Sequence, residues 1–151
     1  MPNSITTLIV FAAVSVTART AMTQETANSL RIDVVANDYT FLPLPKRIAP
    51  GPTIFTFVNQ GKVQHEMAIG RLKPGVSIED VVKVSKEGGR RRELIARSVG
   101  ILIAGPGESP DGRLWVDLVP GQTYVVFCAL RDTPDAQPHL LMGMYAAFRP
   151  Q

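Results

Sequence analysis

The chain has 151 residues, 45% of them hydrophobic and 19% charged, which suffices for one domain with a proper core and requires no second. The formal charge of +3 is mild and gathers at Arg90, Arg91, Arg92 and Arg97, which reads as a solvated face or a docking patch for an acidic partner, not a nucleic-acid surface. One cysteine excludes an internal disulfide, and the absence of a nucleophile-plus-base arrangement or a glycine-rich phosphate loop speaks against a hydrolase or transferase; no enzyme is expected.

Ile5 to Val16 is an apolar run followed by small and polar residues. About twelve residues are too few to span a bilayer and match the core of a secretion signal, although no Lys or Arg precedes them. We expect residues 1–23 to be a signal peptide, with Ala21-Met22-Thr23 or Ala18-Arg19-Thr20 as the cleavage region, and the product to be periplasmic or extracellular. Retention of the segment as an N-terminal anchor is the one route to a membrane.

The remainder, residues 24–151, reads as one domain of short strands separated by turns; with twelve Pro and twelve Gly this leans to an all-β sandwich or barrel. Leu30–Ala36 alternates as a half-buried strand until Asn37-Asp38 breaks it. The two prolines between Tyr39 and Pro45 make that stretch an edge or a connection. Thr53–Val58, dense in β-branched and aromatic residues, predicts a core strand closed by Asn59-Gln60-Gly61, and His65 heads the next one. From about 74 to 99 the pattern changes. Ser77 and Asp80 form a helix-start signature ahead of Ile78, Val81 and Val82, and Arg90–Val99 predicts a second short helix; the pair reads as an insertion outside the sandwich. Leu114–Val119 and Thr123–Cys128 alternate on either side of Pro120-Gly121 and predict a hairpin, with Tyr124, Val126 and Cys128 on one face. Arg131–Pro138 is a polar loop, and Met144–Phe148 is the last strand.

Cys128, both histidines of the chain (His65 and His139) and Met144 form the donor set of a blue-copper site, in which two imidazoles and a thiolate bind in a plane and a thioether stands at a longer axial distance. Each residue also has an ordinary reading: Cys128 as a small buried hydrophobe, His65 as a surface residue bonded across a loop, His139 as a solvated loop residue, Met144 as core.

Three signatures carry a resemblance. They are Asn59-x-Gly61 leading to His65, the turn Pro120-Gly121-x-x-Tyr124 leading to Cys128, and Pro138-His139 followed by Met144 before a final strand. Together they resemble the cupredoxins, small blue copper proteins of the plastocyanin-like kind, over roughly residues 30 to 150 without the insertion. The resemblance implies a Greek-key β-sandwich, His65, Cys128 and His139 as equatorial ligands, and Met144 as the axial one; Met142 competes only weakly. There are two departures: ten residues separate Cys128 from His139 where the family usually has a few, and Glu66 stands where it tends to have an Asn that steadies the cysteine loop.

The function this implies is that of an exported, monomeric one-electron carrier with one copper ion cycling between Cu(I) and Cu(II), redox proteins as partners, and His139 as the electron exit if its outer edge is exposed. The alternatives are a copper storage or delivery module, in which Met67, Met142 and Met144 act together, and a copper-free binding scaffold.

Overall fold

The computed structural model describes residues 29–45 and 47–151, so the signal-like segment lies outside the described residues. Eight strands form two four-stranded sheets. Strands β1 (Leu30–Asn37), β2 (Thr40–Phe41), β3 (Gly51–Asn59) and β6 (Leu114–Leu118) make the first, in the order β2-β1-β3-β6. Strands β4 (His65–Leu72), β5 (Ile95–Ala104), β7 (Tyr124–Phe127) and β8 (Tyr145–Phe148) make the second, in the order β5-β4-β7-β8. Among the described residues only β1 and β3 run parallel; the other pairs are antiparallel.

The alternation seen in the sequence becomes the core. Phe55 and Phe57 of β3 with Ile32 and Val34 of β1 face Met67 and Ile69 of β4 and Tyr124 and Val126 of β7, and Cys128 and Met144 belong to the same buried cluster. Almost all of β4 is buried, and one end of its outer face is covered too. That cover is helix α1 (Ile78–Lys86), which starts on a complete capping box between Ser77 and Asp80 and lays Ile78 and Val81 against Leu72, Val125 and Leu140. Through Leu140 the insertion braces the 3-10 turn His139–Met142.

Two expectations are corrected. The second helix shrinks to a 3-10 turn at Arg91–Leu94, and Ile95–Val99 opens strand β5, whose pairing with β4 satisfies its backbone. Leu94, Ile95 and Val99 fit a helical face, but the β-branched pair serves a strand at least as well. The hairpin around Pro120-Gly121 is likewise a crossing between sheets: β6 pairs with β3, and β7 with β4 and β8. Alternation reports that each strand has one buried face and says nothing about whether neighbours in sequence pair or cross.

Candidate metal centre

His65 is placed by Asn59. This fully buried side chain donates from Nδ2 to the carbonyls of Val63 (2.8 Å) and Ala104 (3.0 Å), and its Oδ1 accepts the Gly61 amide (2.9 Å). One residue thereby pins both ends of the loop to β5 and delivers His65 to the head of β4. Gly61 is favoured by closeness: a Cβ there would lie 2.6 Å from Asp38 Oδ1, which would have to shift, and 3.0 Å from His65 Nε2.

The other donors come from one stretch of backbone folded onto itself. The Cys128 amide donates to the Met144 carbonyl (3.1 Å) and the Cys128 carbonyl accepts from Leu140 (2.7 Å). The His139 amide donates to Leu130 (2.9 Å) and its carbonyl accepts from Met144 (3.0 Å). Gly143, at φ +106°, ends the 3-10 turn in the left-handed region that favours glycine. These bonds set the positions of Cys128, His139 and Met144 despite the ten residues between the first two.

His65 Nδ1 and His139 Nδ1 face each other at 3.2 Å, Cys128 Sγ lies 3.3 Å from His139 Nδ1, and the three donor atoms all lie within 4.8 Å of one another. Donors bound about 2.0–2.3 Å from one ion stand roughly 3–4 Å apart, so the residues fit a single small metal ion. All three side chains are buried, and Met144 is buried beside Cys128 in the core. Met67 is also buried, whereas Met142 is 39% exposed.

The outer edges of the imidazoles meet carboxylates. His139 Nε2 lies 3.0 Å from Asp132 Oδ1, and Asp132 Oδ2 accepts the Tyr39 hydroxyl at 2.6 Å. His65 Nε2 lies 3.9 Å from Asp38 Oδ1 and has no hydrogen-bond partner. Tyr39 sits edge-on to both rings, with centroids 5.0 Å from His139 and 6.1 Å from His65, and holds a left-handed backbone (φ +59°) that is uncommon for a bulky residue. Asp132 holds the proton on His139 Nε2, which leaves Nδ1 free to donate its lone pair. His139 is only 1% exposed, so the condition for an electron exit there, an exposed outer edge, is not met: Asp132 and Tyr39 cover it.

On the sulfur side the Glu66 amide donates to Cys128 Sγ (3.3 Å), and Glu66 Oε1 accepts the Ala129 amide (2.8 Å). Glu66 therefore steadies the cysteine loop with its carboxylate. Burial pushes the Cys128 thiol above its ordinary range, against the hydrogen bonds from the Glu66 and Leu130 amides. Burial first, and the neighbouring His139 second, push His65 down, which keeps its imidazole neutral. A metal held here would displace the thiol proton of Cys128, whereas His65, already neutral, has no second proton to lose.

No protein-family model and no curated protein matches the sequence. Among solved structures, the chain is similar to a dithionite-reduced auracyanin from the photosynthetic bacterium Roseiflexus castenholzii, with a TM-score of 0.51 and 20% identity over 82% of this chain and 98% of that one. It is also similar to auracyanin B, with a TM-score of 0.51 and 18% identity over 81% of this chain and 88% of that one. The fold is cupredoxin-like. In this cupredoxin-like frame a cysteine sulfur and two imidazoles within 4.8 Å of one another, with Met144 buried in the same core cluster as Cys128, indicate one type 1 copper ion. Asp38, Tyr39 and Asp132 were not singled out as site residues from the sequence. The signal available was the unusual length of the loop after Cys128, which is what carries Asp132 over His139.

Proposed function

We propose that the protein is a one-electron carrier holding a single type 1 copper ion, with His65, Cys128 and His139 as equatorial ligands and Met144 as the axial one. The convergence of one sulfur and two Nδ1 atoms inside the buried end of the sandwich carries this reading. The ion supplies the Cu(I)/Cu(II) couple; a thiolate and a thioether favour Cu(I), and imidazoles serve both states.

The residues of the chain keep that environment constant. Asn59 and the backbone ties between Cys128, His139 and Met144 fix the donors before any metal arrives, the Glu66 amide disperses negative charge on sulfur, and Asp132 sets the His139 tautomer. Storage or delivery calls for an open site from which copper exchanges, and donors with 0–1% exposure favour the carrier instead. The partners are redox proteins, and the signal-like composition of residues 1–23 supports export. No helix among the described residues is long and apolar enough to cross a membrane.

Addition of Cu(II) to the metal-free domain tests the reading. One equivalent should produce an intense thiolate-to-copper charge-transfer band with narrow copper hyperfine splitting, and Cys128→Ser should abolish the band because a hydroxyl is no soft charge-transfer partner. Tight binding without the band would turn the assignment to delivery, and the absence of stoichiometric binding would leave only a scaffold.

A further inference from the structure

The outer face of the second sheet is only half covered. α1 and the turn Arg91–Leu94 lie over one part of it, with Leu72 and Val125 beneath; beside them remains a groove of about 600 Å³. The groove has an apolar lining in which the small residues Ala68 and Gly70 of β4 leave room beside Ile101 of β5 and Phe127 of β7. Ile101 is 55% exposed and its neighbour Ile103 50%. Arg90, Arg91 and Arg92 also line it, with Arg97, the register partner of Arg71, at its edge, and none of the four forms an ion pair among the described residues. The one carboxylate in the lining is Glu66, whose Oε1 is occupied by the Ala129 amide.

An apolar centre with uncompensated guanidinium groups is the composition of a protein docking surface for an acidic partner. Its position gives it a purpose. Glu66 and Ala129 line the groove, and the Glu66 amide is hydrogen-bonded to Cys128 Sγ, so a single residue separates a seated partner from the sulfur. On the imidazole side, Asp132 and Tyr39 cover His139, and Asp38 adds a second carboxylate beside His65. The carboxylates there, although Lys62 and Arg131 stand beside them, disfavour an acidic surface relative to the groove, whose lining holds one carboxylate.

We propose that this arginine-lined groove docks an acidic redox protein, which exchanges its electron through the Cys128 side of the centre. The proposal rests on the electron-carrier reading: one electron passes, one side is oxidised as the other is reduced, and no bond is made or broken.

Two measurements on the full domain test it, with R90Q/R91Q/R92Q/R97Q set against R31Q/R47Q/R113Q/R149Q, an equal loss of charge at arginines outside the groove. First, a deca-glutamate peptide is titrated into the metal-free protein and followed by amide NMR, a readout that needs no copper. The peptide should shift Ala68, Gly70, Ile101 and Phe127, weaken with salt, and bind about tenfold or more less tightly to the groove variant than to the control. Equal losses in the two variants, or shifts centred on Asp132, would overturn the site. Phosphatidylglycerol vesicles bound while the peptide is not would overturn the acidic-protein occupant.

Second, the copper-loaded, reduced protein is oxidised by hexacyanoferrate(III) and by tris(phenanthroline)cobalt(III). The groove variant should slow the anionic oxidant about tenfold relative to the control while leaving the cationic one unslowed. Peptide binding with unchanged oxidation rates would overturn the electron route. If copper gives no charge-transfer band, the carrier reading and the route through Cys128 both fail, while the peptide titration still decides the groove. Matching melting curves for the two variants exclude misfolding as the cause.

Discussion

The two sides of the metal centre are finished in opposite ways. On the imidazole side the ring nitrogens face carboxylates, Asp132 closely and Asp38 at longer range, and the β1–β2 turn brings Tyr39 across both rings. On the sulfur side the contacts are backbone amides, and beyond them lies an open groove lined with arginine. The difference follows from what each donor needs. A neutral imidazole has a proton to place, and an acceptor at Nε2 keeps Nδ1 available. A thiolate has charge to disperse; amide donors do that, whereas a nearby carboxylate pushes the thiol pKa further up. One centre therefore carries an acidic cover on one flank and a basic approach on the other.

The largest break in this arrangement should come from Asn59→Ala. It leaves the Val63 and Ala104 carbonyls and the Gly61 amide without their partner in a fully buried place. The expected loss is about 3 kcal/mol in the metal-free protein, measured by urea unfolding, because each buried group so orphaned costs about 1–3 kcal/mol and the costs are not additive. A loss below about 0.5 kcal/mol, within the range of ordinary surface substitutions, would mean that the loop holds itself and that Asn59 does not position His65.

Asp132→Asn removes the charge that fixes His139 while nearly preserving size. Copper affinity should fall by about 10–100-fold, as for other residues that orient a metal-bound histidine, and nitrogen-resolved NMR of the metal-free protein should show His139 released from the single Nε2–H tautomer. Tyr39→Phe removes only the hydroxyl donated to Asp132 and should lie between the two. An unchanged tautomer in Asp132→Asn would show that burial alone orients the ring and would dissolve the contrast between the flanks.

Much of this was legible in the chain, and the omissions have a common cause. Strand positions followed from period-two alternation, and the donors followed from rarity: with two histidines and one cysteine there was little to choose among. The Asn59-x-Gly61 signature gained a mechanism, since Gly61 is favoured by the closeness of Asp38 and His65 and Asn59 is needed by the loop. What could not be read was anything set by which sheet a strand joins. The supposed hairpin at Pro120 crosses between sheets, and Ile95–Val99 left its helix because the edge of β4 was open to it. The cover of His139 depends on two segments 93 residues apart meeting through Tyr39 and Asp132, and no local pattern announces that.

Met144→Leu sharpens the sulfur side by a smaller amount. Replacing the proposed axial thioether with a hydrocarbon should leave coloured copper bound and raise the potential, since Cu(II) loses more from it than Cu(I). A tenfold change in relative affinity corresponds to about 59 mV for one electron, and a rise of about that size is expected by voltammetry. A shift in Met142→Leu with none in Met144→Leu would overturn the axial assignment.

The smallest effect divides the flanks by pH in the metal-free protein. His65 is held below its ordinary value of 6.5, chiefly by burial, so the unfolded chain takes up a proton near that pH that the folded protein refuses. The unfolded state then binds more protons, and stability should fall as pH drops through about 6.5, with a slope of at most about 1.4 kcal/mol per pH unit for one group. Asp33, Asp80 and Asp132 are held below 3.8 by their hydrogen bonds, so their stabilisation is present above that pH and is lost only at lower values. Cys128 works at the other end: it is held above 9.0 by burial, so the unfolded thiol ionises first, the folded state binds more protons, and stability should decline as pH rises past about 9. Unfolding curves between pH 5 and 10 should thus show a plateau whose acid edge belongs to the imidazole flank and whose alkaline edge begins with the sulfur; Tyr39, held above 10.0 chiefly by its hydrogen bond to Asp132, adds to it only toward pH 10. Cys128→Ser should flatten the alkaline edge and leave the acid edge in place; an alkaline decline that survives the substitution would assign it to other groups.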